Sequence, residues 1–278
     1  METTARLSEI TMNYRDEGTG PLVLLLHGWP QTSFCWRHVV PALAEHYRVV
    51  APDLRGYGRS DRPSGGYTKR RMAQDLRELA DHLGADRVRV VGHDRGARVG
   101  HRFALDHPGL VTRLTVLDVA PTLHMFEAGT TATAKNYWHW LFHEQPDLPE
   151  LLVGAAIEPY LRHFFHAWAF QRARIADGLA HYVEAFTQPG ALRAGFDDYR
   201  ATPDDLADDR ADRDAGRTVQ IPVQVLWGDR GLAAGTASLE AWRPFAPRAF
   251  GGPIAECGHF IPEEQPGALT AALLEYLA

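Results

Sequence analysis

Val88-Arg89-Val90-Val91-Gly92-His93-Asp94-Arg95-Gly96-Ala97-Arg98 is the stretch on which the fold turns. A short apolar run ends in Gly92-His93-Asp94-Arg95-Gly96 and passes directly into helix-forming sequence. This is the strand, sharp turn, helix pattern of a nucleophile elbow, in which Gly92 and Gly96 let backbone segments crowd together. Serine is the usual central residue; here it is Asp94. A carboxylate needs no base to activate it, and it attacks carbon to give an alkyl ester. The elbow therefore points to displacement at a carbon that bears a leaving group.

The flanking sequence supports one α/β fold. Ile10-Thr11-Met12-Asn13-Tyr14-Arg15 alternates like a strand, and Leu22-Val23-Leu24-Leu25-Leu26 is an apolar run suited to a strand covered on both faces. That run ends in His27-Gly28-Trp29-Pro30. Residues 36–46 read as a helix and 47–51 as a strand. Thr68 is a candidate N-cap for a helix carrying Met72, Leu76, Leu79 and Leu83 on one face, with Gly84 as its stop. A helix is expected over 97–107 and a buried strand from Leu114 to Val119. Strand signal returns at Val223 to Gly228 and at 249–254, and 266–277 reads as a closing helix. Strands alternating with helices imply a mostly parallel sheet with right-handed crossovers. The ligand site of such a sheet lies beyond the carboxyl ends of its strands, where His27-Gly28, Asp94 and Asp118 would meet. Across 121–217 strand runs vanish, and tryptophan and histidine become dense. We expect a helical cap at 121–217, inserted into a core of 1–120 and 218–278. The Asp- and Arg-rich run 204–217 reads as a solvated return segment.

Bulk properties narrow the function. The chain has 278 residues, 45% of them hydrophobic, enough for one α/β domain with an insertion. A net charge of -6 gives no general attraction to nucleic acid or to an anionic membrane. An anionic substrate would then need a local cationic site. Cys35 and Cys257 form no ligand or redox motif, the N-terminal residues lack the apolar core of a signal peptide, and Leu22 to Leu26 is too short to span a bilayer. The expectation is a cytoplasmic protein.

An ester on Asp94 must be hydrolysed. Cys257-Gly258-His259-Phe260 follows the last strand signal, so His259 can reach the same edge and deprotonate a water. Asp118 and Asp229 are both candidates for the carboxylate that orients His259. Asp118 is favoured, because an acid ending an apolar run needs a polar partner, whereas Asp229 in Trp227-Gly228-Asp229-Arg230 suits a turn cap. The amides of Trp29 and Arg95 are placed as the oxyanion hole. Arg95 and Arg98 lie in the first turn of the elbow helix, where cations oppose the dipole. Unless they reach the surface or pair with cap carboxylates, an anion belongs between them, and a substrate carboxylate beside Asp94 fits. Tyr137-Trp138-His139-Trp140 supplies ring N–H donors for a leaving halide, and Tyr199 adds a hydroxyl. His139 and His143 stand at i, i+4, yet no carboxylate follows in zinc-protease order, so no metal is assigned.

These segments resemble the α/β-hydrolase superfamily over nearly the whole chain, and within it the fluoroacetate (haloacetate) dehalogenases. The resemblance rests on His27-Gly28-Trp29-Pro30-Gln31-Thr32, Asp53-Leu54-Arg55-Gly56-Tyr57-Gly58, the elbow, Leu117-Asp118, Tyr137-Trp138-His139-Trp140 and Gly258-His259-Phe260. The first two are generic to the superfamily; the Asp-Arg-Gly-x-Arg elbow with the Trp-His-Trp run is far more specific. The resemblance implies hydrolytic dehalogenation of short 2-haloacids, haloacetate giving glycolate and halide. It implies Asp94 as nucleophile, His259 as base, Asp118 as its acid, Arg95 and Arg98 as carboxylate binders, and His139, Trp140 and Tyr199 as the halide pocket. It implies no cofactor, and a homodimer. Trp29 stands where the family commonly has phenylalanine and Ala97 where glycine is frequent, which bears on substrate size. Epoxide hydrolases share the aspartate, histidine and acid, and Tyr137, Tyr160, Tyr182 and Tyr199 are available to protonate an epoxide oxygen. A neutral epoxide, however, gives Arg95 and Arg98 no work. Haloalkane dehalogenases place a tryptophan where Arg95 stands. A ligand-sensing receptor on the same scaffold would not need the full set Asp94, Asp118 and His259, and a serine esterase lacks its serine.

Overall fold

The computed structural model describes residues 2–232, 234 and 239–278; Met1, 233 and 235–238 lie outside this set. Eight strands build one sheet: β1 (Glu2–Arg6), β2 (Thr11–Glu17), β3 (Leu22–Leu26), β4 (Arg48–Pro52), β5 (Val88–His93), β6 (Val111–Leu117), β7 (Val223–Gly228) and β8 (Ala249–Ile254). Their order is β1-β2-β4-β3-β5-β6-β7-β8. β1 and β2 pair antiparallel, as do β2 and β4, and every pair from β4 to β8 is parallel. The all-apolar β3 is buried along its whole length, as a central strand covered by helices on both faces requires. Lys69–His82 covers one part of the sheet with Met72, Ala73, Leu76 and Leu79 inward. Its N-cap is Thr68, whose hydroxyl accepts from the Arg71 amide at 3.2 Å, and Gly84 follows its end at φ 69°.

Between neighbouring strands β6 and β7 the chain leaves the sheet for eight helices: Thr122–Glu127, Thr131–Asn136, Trp138–Glu144, Leu148–Gly154, Ile157–Trp168, Arg172–Thr187, Ala191–Arg200 and Thr202–Asp214. They occupy the stretch expected to be a cap. Among the described residues no helix is long and apolar enough to cross a membrane.

Two local readings are corrected, and β1 adds a strand for which the sequence carries no signal. Residues 36–46 are not one helix but a short 3-10 turn, Ser33–Trp36, and a single helical turn, Val40–Leu43, with Pro41 setting where the second can begin. β1 carries no hydrophobic alternation; it forms because its backbone pairs with β2, Thr4 opposite Asn13. The run 204–217 is largely the helix Thr202–Asp214, and it is not simply solvated. Asp205 and Asp212 are buried, and Arg102 of the elbow helix pairs with Asp209 at 3.1 Å and with Asp212 at 2.5 Å. Cations on the core helix draw this acidic face inward.

Candidate active site

Asp94 sits between β5 and the helix Arg95–Asp106 with φ 47° and ψ -116°, a conformation that non-glycine residues rarely hold except where the fold imposes it. The elbow forms because its surroundings lack side chains. A Cβ on Gly96 would lie 2.3 Å from the His27 carbonyl oxygen, and one on Gly28 would lie 2.5 Å from the Asp94 Cβ. The Trp29 amide donates to Asp94 Oδ1 at 3.0 Å, so the residue placed in the oxyanion hole already touches the nucleophile. Asp94 is half-buried, and burial alone would push its pKa up; the charges of His259, His93, Arg98 and Arg95 outweigh that and hold it below the usual carboxylate value. It is an ionised, partly desolvated carboxylate at the tip of the elbow.

His259 reaches Asp118 and not Asp229. Its Nδ1 lies 2.6 Å from Asp118 Oδ2, while Asp118 Oδ1 accepts from the Gly228 amide at 3.1 Å. Asp229 Oδ1 instead accepts from the Cys257 amide at 3.2 Å, the turn-capping role expected of it. With Nδ1 committed to Asp118, His259 Nε2 is left buried and without a partner, the arrangement of a base waiting for a water.

The arginines divide, and here the sequence expectation needs correction. Arg95 is fully buried, but it already has an anion: Nε and Nη2 donate to the Asp198 carboxylate at 3.0 and 2.9 Å. The helix Ala191–Arg200 delivers that carboxylate to the elbow, so the cap-carboxylate pairing set aside at the level of sequence is the one Arg95 adopts. Arg98 differs. Its Nη1 donates to the Ala120 carbonyl at 3.0 Å and the Thr122 hydroxyl at 2.8 Å, and among the described residues no carboxylate pairs with it. Burial and the neighbouring Arg95 charge pull its pKa down to about 10, against Asp94, which raises it. It remains a cation at neutral pH.

Above the elbow lies an aromatic enclosure. The rings of Trp29 and His139 stack with centroids 6.0 Å apart, and Tyr199 meets His139 edge-on at 5.9 Å. Burial lowers the His139 pKa to about 3, so the ring is neutral, and its Nδ1 has no partner. Trp140, expected in the halide pocket, donates its indole N–H to Thr202 Oγ1 at 2.8 Å, and its ring lies against Arg95 and Arg98 at 5.0 and 4.6 Å. The indole nitrogen of Trp29, a residue expected to supply its amide to the oxyanion hole and to bear on substrate size, is buried without a partner in the same enclosure. His143 turns its Nε2 to the Tyr160 hydroxyl at 2.7 Å.

A family profile described as the alpha/beta hydrolase fold matches residues 21–266. The chain belongs to the α/β-hydrolase family. It is 40% identical to a fluoroacetate dehalogenase of Burkholderia sp, with 98% of this chain and 92% of that protein aligned. It is 37% identical to a soluble epoxide hydrolase of Corynebacterium sp. (strain C12), over 99% of this chain and 96% of the other. A Nostoc sp PCC 7120 protein provisionally assigned as an α/β hydrolase superposes with a TM-score of 0.96 at 42% identity, covering 100% of this chain and 98% of that one. This α/β hydrolase is thus a hydrolytic enzyme similar to dehalogenases and to epoxide hydrolases alike.

Two buried acids beside the site, Asp198 and Glu264, are not among the residues expected from sequence. Within Asp197-Asp198-Tyr199-Arg200 nothing local says that Asp198 is buried. Glu264 is also fully buried, and it holds the His259 loop: Oε2 accepts from Gly258, Phe170 and Gln171 at 2.9, 2.8 and 2.8 Å, and Oε1 accepts from Phe260 at 2.9 Å. Acids one turn beyond His259, in Pro262-Glu263-Glu264, were its only local signal.

The buried neutral histidines should make this hydrolase less stable in acid. Burial, as the largest cause, holds His93, His101 and His139 at about 3, whereas unfolded histidine titrates near its ordinary value. The unfolded chain therefore takes up protons that the native state refuses, and stability present above about pH 6.5 is lost as pH falls. Each ring contributes about 1.4 kcal/mol per pH unit in that window, about 4 kcal/mol for the three. Urea midpoints measured at about pH 7 and about pH 5 should show a steep fall on acidification; equal midpoints would mean that the rings are not kept neutral.

Proposed function

We propose that this hydrolase removes halide from short 2-haloacids, haloacetate giving glycolate. The substrate carboxylate pairs with Arg98 and takes a further hydrogen bond from Arg95, which sets the halogenated carbon over Asp94. An Asp94 carboxylate oxygen attacks that carbon in line, the carbon–halogen bond breaks, and the halide leaves toward His139 and Tyr199 with the bonding pair. His259 Nε2 then takes a proton from water as the water oxygen adds to the Asp94 carboxyl carbon. The resulting oxyanion is met by the Trp29 and Arg95 amides. Collapse breaks the bond between the Asp94 carboxyl carbon and the alkyl oxygen, the His259 imidazolium returns its proton to that oxygen, and the hydroxyacid leaves with an oxygen from Asp94 while the water oxygen stays on the enzyme.

The observation that supports this reading is Arg98, a buried cation whose hydrogen-bond acceptors are both neutral. A charge without a counterion is costly in such a place unless a ligand supplies one. Arg98→Met keeps the bulk and removes the charge. The expected result is a fall of about 10^2-fold in kcat/KM for chloroacetate, carried mainly by KM, with turnover of a neutral terminal epoxide unchanged. Halide release and diol formation are measured in parallel.

One finding favours a second reading. Arg95 is already neutralised by Asp198, so the site holds less positive charge than two arginines imply, and His139 with Tyr199 can serve as the donor pair for an epoxide oxygen. Epoxide hydrolysis by the wild type with no halide from chloroacetate would replace the haloacid reading with this one.

A further inference from the structure

Asp198 takes no part in the reaction outlined above, yet few groups in the molecule are so fully engaged. It is completely buried on the helix Ala191–Arg200, one residue before Tyr199. Besides the two donors from Arg95, its carboxylate accepts from the Tyr57 hydroxyl at 2.7 Å and from Lys69 Nζ, and Arg95 Nη2 also donates to the Asp198 carbonyl. Lys69 is shared with Asp205, whose Oδ2 lies 3.4 Å from Nζ and whose Oδ1 accepts the Lys69 amide at 2.7 Å. A row of alternating charge thus runs Arg95, Asp198, Lys69, Asp205 from the elbow into the protein. Fully ionised, the row is neutral.

This row determines what a ligand meets. Asp198 grips the Nε and Nη2 edge of Arg95, and Arg95 Nη1 is left buried with no partner. The Arg95 guanidinium carbon lies 4.3 Å from the Tyr199 ring centroid and 5.0 Å from that of Trp140, two rings set at 86° to each other, and Arg98 shares the Trp140 ring. Its plane and its free edge are therefore fixed before any ligand arrives. With Asp198 ionised, the pocket holds one cation, Arg98, that no carboxylate other than Asp94 itself balances; were Asp198 neutral, Arg95 would be a second.

We propose that Asp198 is a positioning residue that takes up the charge of Arg95 and aims its remaining N–H, so that a substrate carboxylate meets one full charge and one oriented donor. The proposal rests on the haloacid reading for the charge of the substrate. A second uncompensated cation would tighten the grip on every small carboxylate, product included, and would quiet the attacking Asp94. Binding strengthened equally in ground and transition states lowers KM without raising kcat.

The test uses acetate, which binds but cannot react, followed by quenching of tryptophan fluorescence. Asp198→Asn keeps the shape and removes the charge. We expect acetate to bind about three- to tenfold more tightly, as befits one added unit of positive charge at short range in a partly screened site. For chloroacetate both KM and kcat should fall, while chloroacetamide, which has the same leaving group and no charge, shows no gain in affinity. Lys69→Met shifts the balance the other way, and acetate should bind several-fold more weakly. Opposite changes from two substitutions in one cluster are not produced by loosened packing. Acetate affinity unchanged or weakened in Asp198→Asn overturns the proposal; should that variant not fold, unchanged affinity in Lys69→Met does so. Because acetate binding needs no turnover, the two ideas separate. Wild-type halide release with acetate affinity unmoved by either variant sinks the role of Asp198 alone. Acetate shifts of the expected signs with no halide from chloroacetate sink the haloacid reading alone.

Discussion

Exchange of Asp94 for alanine should abolish turnover, with a loss of at least about 10^4-fold, since nucleophiles that form covalent intermediates are not replaced by the rest of their site. Alanine is chosen over asparagine because slow deamidation would restore the aspartate. The substitution removes the only contact by which the Trp29 amide reads that side chain, 3.0 Å from Oδ1, but leaves the elbow glycines and the apolar strand beneath it untouched. Binding of acetate should survive it, since Arg98 remains. The complementary measurement uses the unmodified enzyme in heavy-oxygen water. A single turnover should place the label in the Asp94 carboxylate and none in the first hydroxyacid released. Label appearing directly in the product would mean that water attacks the substrate itself, and the ester route would fall.

Exchange of His259 for glutamine should instead separate the two halves of the reaction. Attack by Asp94 needs no base, so one equivalent of halide is expected in a rapid burst, followed by turnover reduced by about 10^2- to 10^4-fold. Mass spectrometry should find the Asp94 peptide heavier by one carboxymethyl group. Absence of both burst and adduct would remove His259 from the hydrolytic step. The wild-type pH profile carries the same information. Burial pulls the His259 pKa down, but its hydrogen bond to Asp118 and the charges of Asp118 and Asp94 prevail and raise it above the ordinary value. Esterification neutralises Asp94 and so withdraws one of the charges that favour the imidazolium. The ring becomes easier to deprotonate when the ester needs a base. Because neutral His259 is required, kcat should fall as pH drops through this pKa. A kcat that stays flat from about pH 8 to about pH 5 would argue against the role.

Much of this was legible in the chain itself. β3, β5 and β7 announce themselves because a strand covered on both faces must be apolar throughout or nearly so, and Gly92-His93-Asp94-Arg95-Gly96 announces the elbow because side chains cannot be accommodated where the backbone segments cross. His259 was legible from its place after the last strand. Between Asp118 and Asp229, the requirement that a buried acid find a partner chose Asp118, the residue that stands 2.6 Å from the His259 ring.

The arginines mark where sequence stops. Arg95 and Arg98 are equivalent in a one-dimensional reading, three residues apart on the first turn of one helix. Whether a guanidinium is free or already neutralised depends on which carboxylate the fold carries to it, and Asp198 lies 103 residues away from Arg95 along the chain. Trp140 and Trp29 exchange prominence for the same reason: Thr202, on another helix, occupies the indole N–H of one and leaves that of the other unmatched. The mostly parallel sheet, the elbow that carries Asp94 and the place of His259 after the last strand follow from local pattern and backbone sterics. The charge of the pocket and its open hydrogen-bond donors follow from contacts between distant segments, because electrostatic balance is a property of neighbours in space.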